Sequence, residues 1–200
     1  MTPYLASSSS IDWKTPAVHA LAQQLAVEAG SGDEAIARRC FEFVRDEIRH
    51  SWDYRSGPVT LRASEVLAHR TGYCYAKSHL LAALLRANGI PAALCYQRLP
   101  VGDGGAPYCL HGLNAVYLAD HGWYRIDARG NKPGVDARFT PPHEHLAFPI
   151  RGGAEQDIEG LYAEPLQAVV DALTRHSTIE QVFLNLPDIE APLRTAGAPT

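Results

Sequence analysis

The stretch Thr71-Gly72-Tyr73-Cys74-Tyr75-Ala76-Lys77-Ser78-His79-Leu80-Leu81-Ala82-Ala83-Leu84-Leu85-Arg86-Ala87-Asn88-Gly89-Ile90-Pro91 decides the fold. Thr71-Gly72-Tyr73 breaks the preceding structure, and Cys74 opens a run of Ala and Leu with strong helix propensity. Leu80, Leu81, Leu84 and Leu85 form an apolar stripe at helical spacing. Asn88-Gly89, followed by Pro91, stops the helix. Cys74 therefore stands at a helix N-terminus, where unpaired amides favour an anion. It shares a helix face with Ser78, Leu81 and Leu85, which sets it at the rim of the core. An ordinary thiol is only a few per cent ionised at neutral pH, and a helix end with a neighbouring imidazolium brings such a group down to roughly pKa 3.5–7.5. Cys40, inside an apolar helix face, Cys95, in a strand, and Cys109, in a loop, lack that setting.

A base for such a thiol comes from downstream. Ala92–Arg98, Gly112–Leu118 and Trp123–Asp127 read as strands, with turn chemistry in Asp120-His121-Gly122. His111 enters the second strand behind the polar loop Gly102–Pro107, and Asp127 leaves the third. An odd-length hairpin tip puts both side chains on one sheet face. A three-residue tip at Asp120-His121-Gly122 offsets the pair along the strands.

Upstream, the pattern gives a loose N-terminal segment over residues 1–14 and a helix from Pro16 that Gly30 ends. A second helix follows, capped by Asp33 or by Ser31 with Glu34, and carries Ile36, Cys40, Phe43, Val44 and Ile48 inward. Arg38, Arg39 and Arg45 alternate with Glu34, Glu42 and Glu47 on its solvated face. Trp52–Leu61 reads as loop, a short helix follows Ser64, and a last helix runs from Glu164-Pro165 to about His176. The end of the chain, with Pro187, Pro192 and Pro199, is expected to fray. Helices first and a sheet later define an α+β fold. The expected organisation is a single domain over 1–200, with a core of about 15–150 and a C-terminal helical segment of about 160–186.

At Gly72-Tyr73-Cys74-Tyr75-Ala76-Lys77 and Leu80 through Ala92, the chain resembles the cysteine segment of the transglutaminase-like superfamily. His111 before an alternating strand, and Asp127 after Gly122-Trp123-Tyr124-Arg125-Ile126, resemble its histidine and aspartate segments in the same order. The resemblance covers about residues 60–130. It implies a papain-like, transglutaminase-core fold, with the Cys74 helix packed on an antiparallel sheet. It also implies Cys-His-Asp covalent catalysis on amide carbonyls without a cofactor. Many relatives carry Ala-Trp after the histidine and Pro-Thr after the aspartate; this chain has Gly112-Leu113 and Ala128-Arg129.

The catalytic candidates are thus Cys74, His111 and Asp127, and the substrate or oxyanion candidates are Trp52, Tyr73 and Tyr75. Trp52 and Tyr54 precede the cysteine segment, where the simpler expectation is an aromatic cleft wall. His79 lies off the Cys74 face and reads as packing or surface. His143-Glu144-His145 has metal-pair spacing but lacks a third ligand, so no metal and no cofactor are expected. The expected partner is a peptide or protein amide substrate, processed by hydrolysis or acyl transfer. Acyl transfer from a thioester, or a non-catalytic peptide-binding or scaffold protein on the same fold, are the rivals.

Composition narrows the classes further. Of 200 residues, 46% are hydrophobic and 20% charged, which excludes wholesale disorder. A net charge of −4 gives no compositional case for nucleic acid or an anionic membrane. No apolar run approaches the ~18 residues of a membrane span. Residues 1–14 lack the pattern of a signal peptide, and four cysteines form no disulfide framework. A reduced, cytoplasmic protein is the expectation.

Overall fold

In the computed structural model, which describes residues 1–102 and 104–189, Pro16 opens α1 (Pro16–Ala29) and Gly30 ends it at φ 86, a left-handed value that suits glycine. α2 (Asp33–Glu47) follows without the expected cap. Gly32, at φ 101, takes the N-cap position and no side chain bonds there. Asp33 and Glu34 act instead as first-turn carboxylates on the helix dipole. Next come a two-residue strand, β1 (Arg49–His50), and a single helical turn, α3 (Ser51–Tyr54). The segment expected to be all loop therefore begins helically. α4 (Ala63–His69) is closed at its start by Glu65, whose carboxylate accepts the Leu61 and Arg62 N–H groups at 3.0 and 3.1 Å. β2 (Thr71–Gly72) pairs parallel with β1 and sets His50 beside Gly72.

α5 (Cys74–Ala87) is the axis of the molecule, buried at every position from Cys74 through Arg86. It packs on α1, α2 and α4 on one side and on the sheet on the other. A helix enclosed this way must be apolar all round, and each polar exception needs a partner. Lys77 donates to the Ile48 and Arg45 carbonyls, Ser78 to the Cys74 carbonyl, and Arg86 to the carbonyls of Ala6, Ala92 and Ala163. His79 is fully buried with Nδ1 on the Leu61 carbonyl at 2.7 Å, which makes it a packing residue. Burial holds its imidazole down to about 4, against a smaller opposing effect of the Leu61 carbonyl.

That depression has a sign. The unfolded chain takes up the His79 proton near ~6.5 while the folded one resists until about 4. The contribution is full above the unfolded value and is lost as pH falls through that window. Thermal unfolding followed from pH 7 to 4 should show a declining midpoint, and His79→Gln should make the decline shallower. An equally steep decline in the variant would remove His79 as a cause.

The sheet consists of β3 (Ala92–Gly102), β4 (Gly105–Leu118), β5 (Gly122–Ile126) and β6 (Gln156–Tyr162), in the order β5-β4-β3-β6, antiparallel throughout. β3 and β4 make a longer hairpin than expected, since pairing continues from Ala92↔Val116 out to Gly102↔Gly105. Cys109 thus lies in a strand opposite Leu99, not in a loop. The β4–β5 tip closes at Leu118↔Gly122, one residue earlier than Asp120-His121-Gly122 suggested. β6 was not expected. It is an edge strand of mostly half-exposed residues, with Asp157 and Glu159 interrupting its apolar positions.

α6 (Gln167–Arg175) buries Val169, Ala172 and Leu173, and α7 (Ile179–Leu184), a separate helix inside the expected helical segment, buries Ile179 and Val182. The segment after α7 docks rather than frays: Leu110 donates to the Pro187 carbonyl at 2.7 Å and Arg98 meets Asp188 at 2.7 Å. Pro192 and Pro199 lie outside the described residues.

Candidate active site

Cys74 is the first residue of α5 and is 7% exposed. Its sulfur accepts the Gly112 N–H at 3.4 Å, a contact that brings β4 directly against the helix start. Glycine is needed for that approach. A Cβ at Gly112 would lie 3.0 Å from the Tyr75 Cα and 3.2 Å from its nitrogen. Here is a physical reason for Gly112 where many relatives have Ala: Tyr75 is bulky, and its ring also comes within 3.0 Å of the missing Cβ. Gly112→Ala should push β4 outward, loosen the N–H···S contact and cost about 1–3 kcal/mol by overpacking. Chemical denaturation and the Cys74 alkylation rate, measured together, check both consequences.

His111 lies next to Gly112 on β4 and Asp127 just beyond the end of β5. Extending the β4–β5 register puts His111 opposite Arg129, so the pair is offset by two residues because the tip is centred on Asp120. Both remain on one face, and departure from the ladder after Ile126 closes the gap. His111 Nε2 and Asp127 Oδ2 are 2.7 Å apart. The Asp127 carboxylate also accepts the Arg129 and Ala147 N–H groups at 3.1 and 3.2 Å. Burial disfavours its charge, but the His111 cation and these hydrogen bonds hold it below the usual carboxylate value. Burial likewise works against the His111 cation. The Asp127 carboxylate, the Cys74 sulfur and hydrogen bonds to both overcome it and push His111 up to about 10. With Nε2 on Asp127, Nδ1 is the nitrogen left for the sulfur. Phe148 stands edge-on to the imidazole, with ring centres 5.1 Å apart.

The three aromatic candidates have different fates. Trp52 lines the cleft and stacks on Phe183 at 3.4 Å, with the Arg55 guanidinium 3.2 Å above its ring. Tyr73 and Tyr75 also touch the cleft, but their phenol protons are committed. Tyr73 donates to the Ile179 carbonyl at 2.7 Å, and Tyr75 to the Leu110 carbonyl. They act as tethers of α7 and β4, not as hydroxyl donors to a substrate. Tyr54 is 60% exposed and outside the cleft lining.

Sequence reasoning missed His50. Its ring is buried, stands edge-on to Tyr73 and lines the cleft with Cys74, while its Nδ1 has no hydrogen-bond partner. Burial, then the nearby Arg129 cation, keep it neutral against the opposing pull of Asp53. Asp53 in turn accepts from Arg129 at 2.6 and 3.1 Å and from Lys132 at 2.6 Å. The only signal in the sequence was a histidine at the end of a helix.

His50, Trp52, Tyr73, Cys74, Tyr75 and His111 border one cleft of about 980 Å³. Cys109 borders it too. Burial pushes Cys40, Cys95 and Cys109 each up to about 12, and all four cysteines are free. Among the described residues, no group of three or more His, Cys, Asp or Glu side chains could hold a metal ion. His145 lies 3.6 Å from Asp136, and His143 is engaged through its backbone, its carbonyl accepting from Tyr124 and Thr140 and its N–H donating to the Thr140 carbonyl.

A parallel helix-start thiol, strand histidine and buried aspartate on an α+β scaffold define the class of papain-like folds. Residues 19–128 match the transglutaminase-like superfamily, and the chain belongs to it. At the family level that membership supports a cysteine-dependent enzyme. A candidate cysteine protease from Cytophaga hutchinsonii shares the fold, at a TM-score of 0.52 and 18% identity over 64% of this chain. The periplasmic domain of TgpA from Pseudomonas aeruginosa matches at 0.45 and 20% identity over 62% of the chain. The chain spans 42% of the first of these proteins and 45% of the second. No curated protein matches. No helix among the described residues is long and apolar enough to cross a membrane.

Proposed function

We propose that the protein is a cysteine-dependent amide-processing enzyme in which Cys74 is the nucleophile, His111 the acid–base and Asp127 its positioning partner. The carrying observation is the 2.7 Å His111–Asp127 contact beside a sulfur already held by the Gly112 amide. The Cys74 thiolate adds to a peptide or side-chain amide carbonyl, and its own helix-start N–H supports the oxyanion. Neutral His50, on the same cleft wall, can add one hydrogen bond without adding charge. Collapse breaks the C–N bond, His111 gives its proton to the departing amine, and a thioester remains on Cys74. Water, deprotonated by His111, then releases the acid and restores the thiol.

Hydrolysis is favoured over transfer to an amine because the charged lining of the cleft is Arg129, Lys132, Arg151 and Glu155, a set that disfavours an ammonium group. A reducing, cytoplasmic setting suits four free thiols, two of them in one cleft.

The test begins with labelling. Iodoacetamide near pH 6.5 should modify Cys74 well before Cys40, Cys95 or Cys109, read by peptide mass spectrometry. A pooled peptide library should then leave an acyl group on Cys74, with free acid as the main product until an added primary amine reaches millimolar concentration. Efficient amide formation at micromolar amine would reverse the preference for water. Product formation unchanged in Cys74→Ala would leave the binding-protein alternative ahead.

A further inference from the structure

The charged side chains of the cleft are unevenly distributed. Lys132 and Arg129 stand on one wall, both bound to the single carboxylate of Asp53. Two cations on one anion leave a positive charge without local compensation. Arg151 borders the same cleft and adds another, while Glu155 is the acidic residue of the lining and accepts the Arg151 backbone N–H at 2.8 Å. Behind this wall, burial and then the Arg129 cation bring the buried Lys77 amine down to about 7, so the wall's charge rests on Arg129, Lys132 and Arg151. The chain as a whole carries −4, so this wall runs against its net charge.

The burial of each group fits a receiving surface. The Arg129 side chain is only 8% exposed and is fixed by Asp53, whereas the Lys132 side chain, bound to the same carboxylate, is 42% exposed. A fixed charge at the base with a reachable ammonium in front is how an anion is held in a concave, partly dry site. The same lining also holds the apolar side chains Leu99, Val101, Leu110, Trp52, Phe183 and Leu186.

We infer that the cationic lining of Arg129, Lys132 and Arg151 seats a carboxylate of the substrate, so that the enzyme's amide substrates carry an acidic group close to the scissile bond. This inference rests on Cys74 being the nucleophile and names the substrate class for it.

Two small alkylating reagents test it without a known substrate. Iodoacetamide is neutral and transfers a carbamidomethyl group to sulfur, whereas iodoacetate carries the carboxylate and transfers a carboxymethyl group, each with loss of iodide. Their rate ratio at Cys74 is measured at low ionic strength in the folded protein and, as reference, in urea. The folded ratio should favour iodoacetate by roughly tenfold over the unfolded one, and salt should diminish it. His111 contributes to that preference, so the variants Lys132→Glu and Lys132→Glu/Arg151→Glu isolate the wall. Each should lower the ratio, the double variant by about tenfold, with the iodoacetamide rate within about twofold of the parent. The same variants should raise KM for acidic peptides more than for neutral ones. A ratio unchanged in the double variant would overturn this inference alone. Failure of iodoacetamide itself to single out Cys74 would overturn the nucleophile assignment and this inference with it.

Discussion

Replacing His111 by Ala should lower turnover by about a thousandfold or more, because one imidazole both accepts the thiol proton and returns it to the leaving amine. Iodoacetamide labelling of Cys74 near pH 6.5 should slow as well, whereas His79→Ala should leave it unchanged. His79 is the informative control. It lies on the same helix as the thiol, yet it is buried against the Leu61 carbonyl and outside the cleft lining. Asp127→Asn should keep the approximate shape, impose the wrong imidazole tautomer and lose activity on a similar scale. Were His79→Ala the damaging change, the acid–base assignment would be wrong.

The His111 variant also has a stability signature that separates chemistry from folding. The imidazole is pushed up to about 10 in the folded chain and returns to about 6.5 when unfolded. Its charged contacts therefore stabilise the fold fully below the unfolded value, and the benefit is lost as pH rises through the folded one. Asp127 has the opposite dependence: its depressed carboxyl contributes above its ordinary value and loses that contribution in acid. The gap in thermal midpoint between parent and His111→Ala should be wide near pH 6 and narrow towards pH 10. A gap constant across that range would mean that the imidazole is neutral in the folded state.

The parts legible in the sequence were those governed by local rules. α5 announced itself through composition, a glycine-containing start and an Asn-Gly stop. The placement of Cys74, and the shared face of His111 and Asp127, followed from helix ends and strand parity. The parts that were hidden depend on distant partners. β1 is two residues long and exists because β2 lies beside it, so nothing local marked His50 as a cleft residue. β6 has too few buried positions for a clear period. Phe183, on α7, reaches Trp52 only through the tertiary fold. The phenols of Tyr73 and Tyr75 looked available because their acceptors are 106 and 35 residues away. Gly112 appeared as a departure from relatives, and its reason lay in the distance to Tyr75.

The largest effect on stability is expected at Arg86, which no periodicity singled out. Arg86 is 2% exposed, at the last buried position of α5, and its guanidinium gathers three separate parts of the chain. Nε and Nη2 bind the Ala92 carbonyl at 3.0 and 2.9 Å, Nη1 binds Ala6 at 2.9 Å, and Nη2 also binds Ala163 at 2.8 Å. These contacts tie the N-terminal segment, the start of β3 and the chain after β6 to one end of α5. Burial opposes the charge and brings the group down to about 10, so it remains a cation at neutral pH. Arg86→Met keeps much of the stem's volume and removes every donor, leaving carbonyls in places where water has limited access. Each such loss costs about 1–3 kcal/mol, and their sum, reduced by relaxation, should be roughly 3–5 kcal/mol. Arg86→Lys should recover only a part, since one ammonium cannot reproduce the planar fork that spans these acceptors. Denaturant unfolding of the three proteins measures this order directly. Because Arg86 lies at the far end of the helix from Cys74, the variants should retain cysteine reactivity under conditions where they remain folded. Full stability in Arg86→Met would show that the N-terminal segment and the chain after β6 are held by their apolar contacts alone.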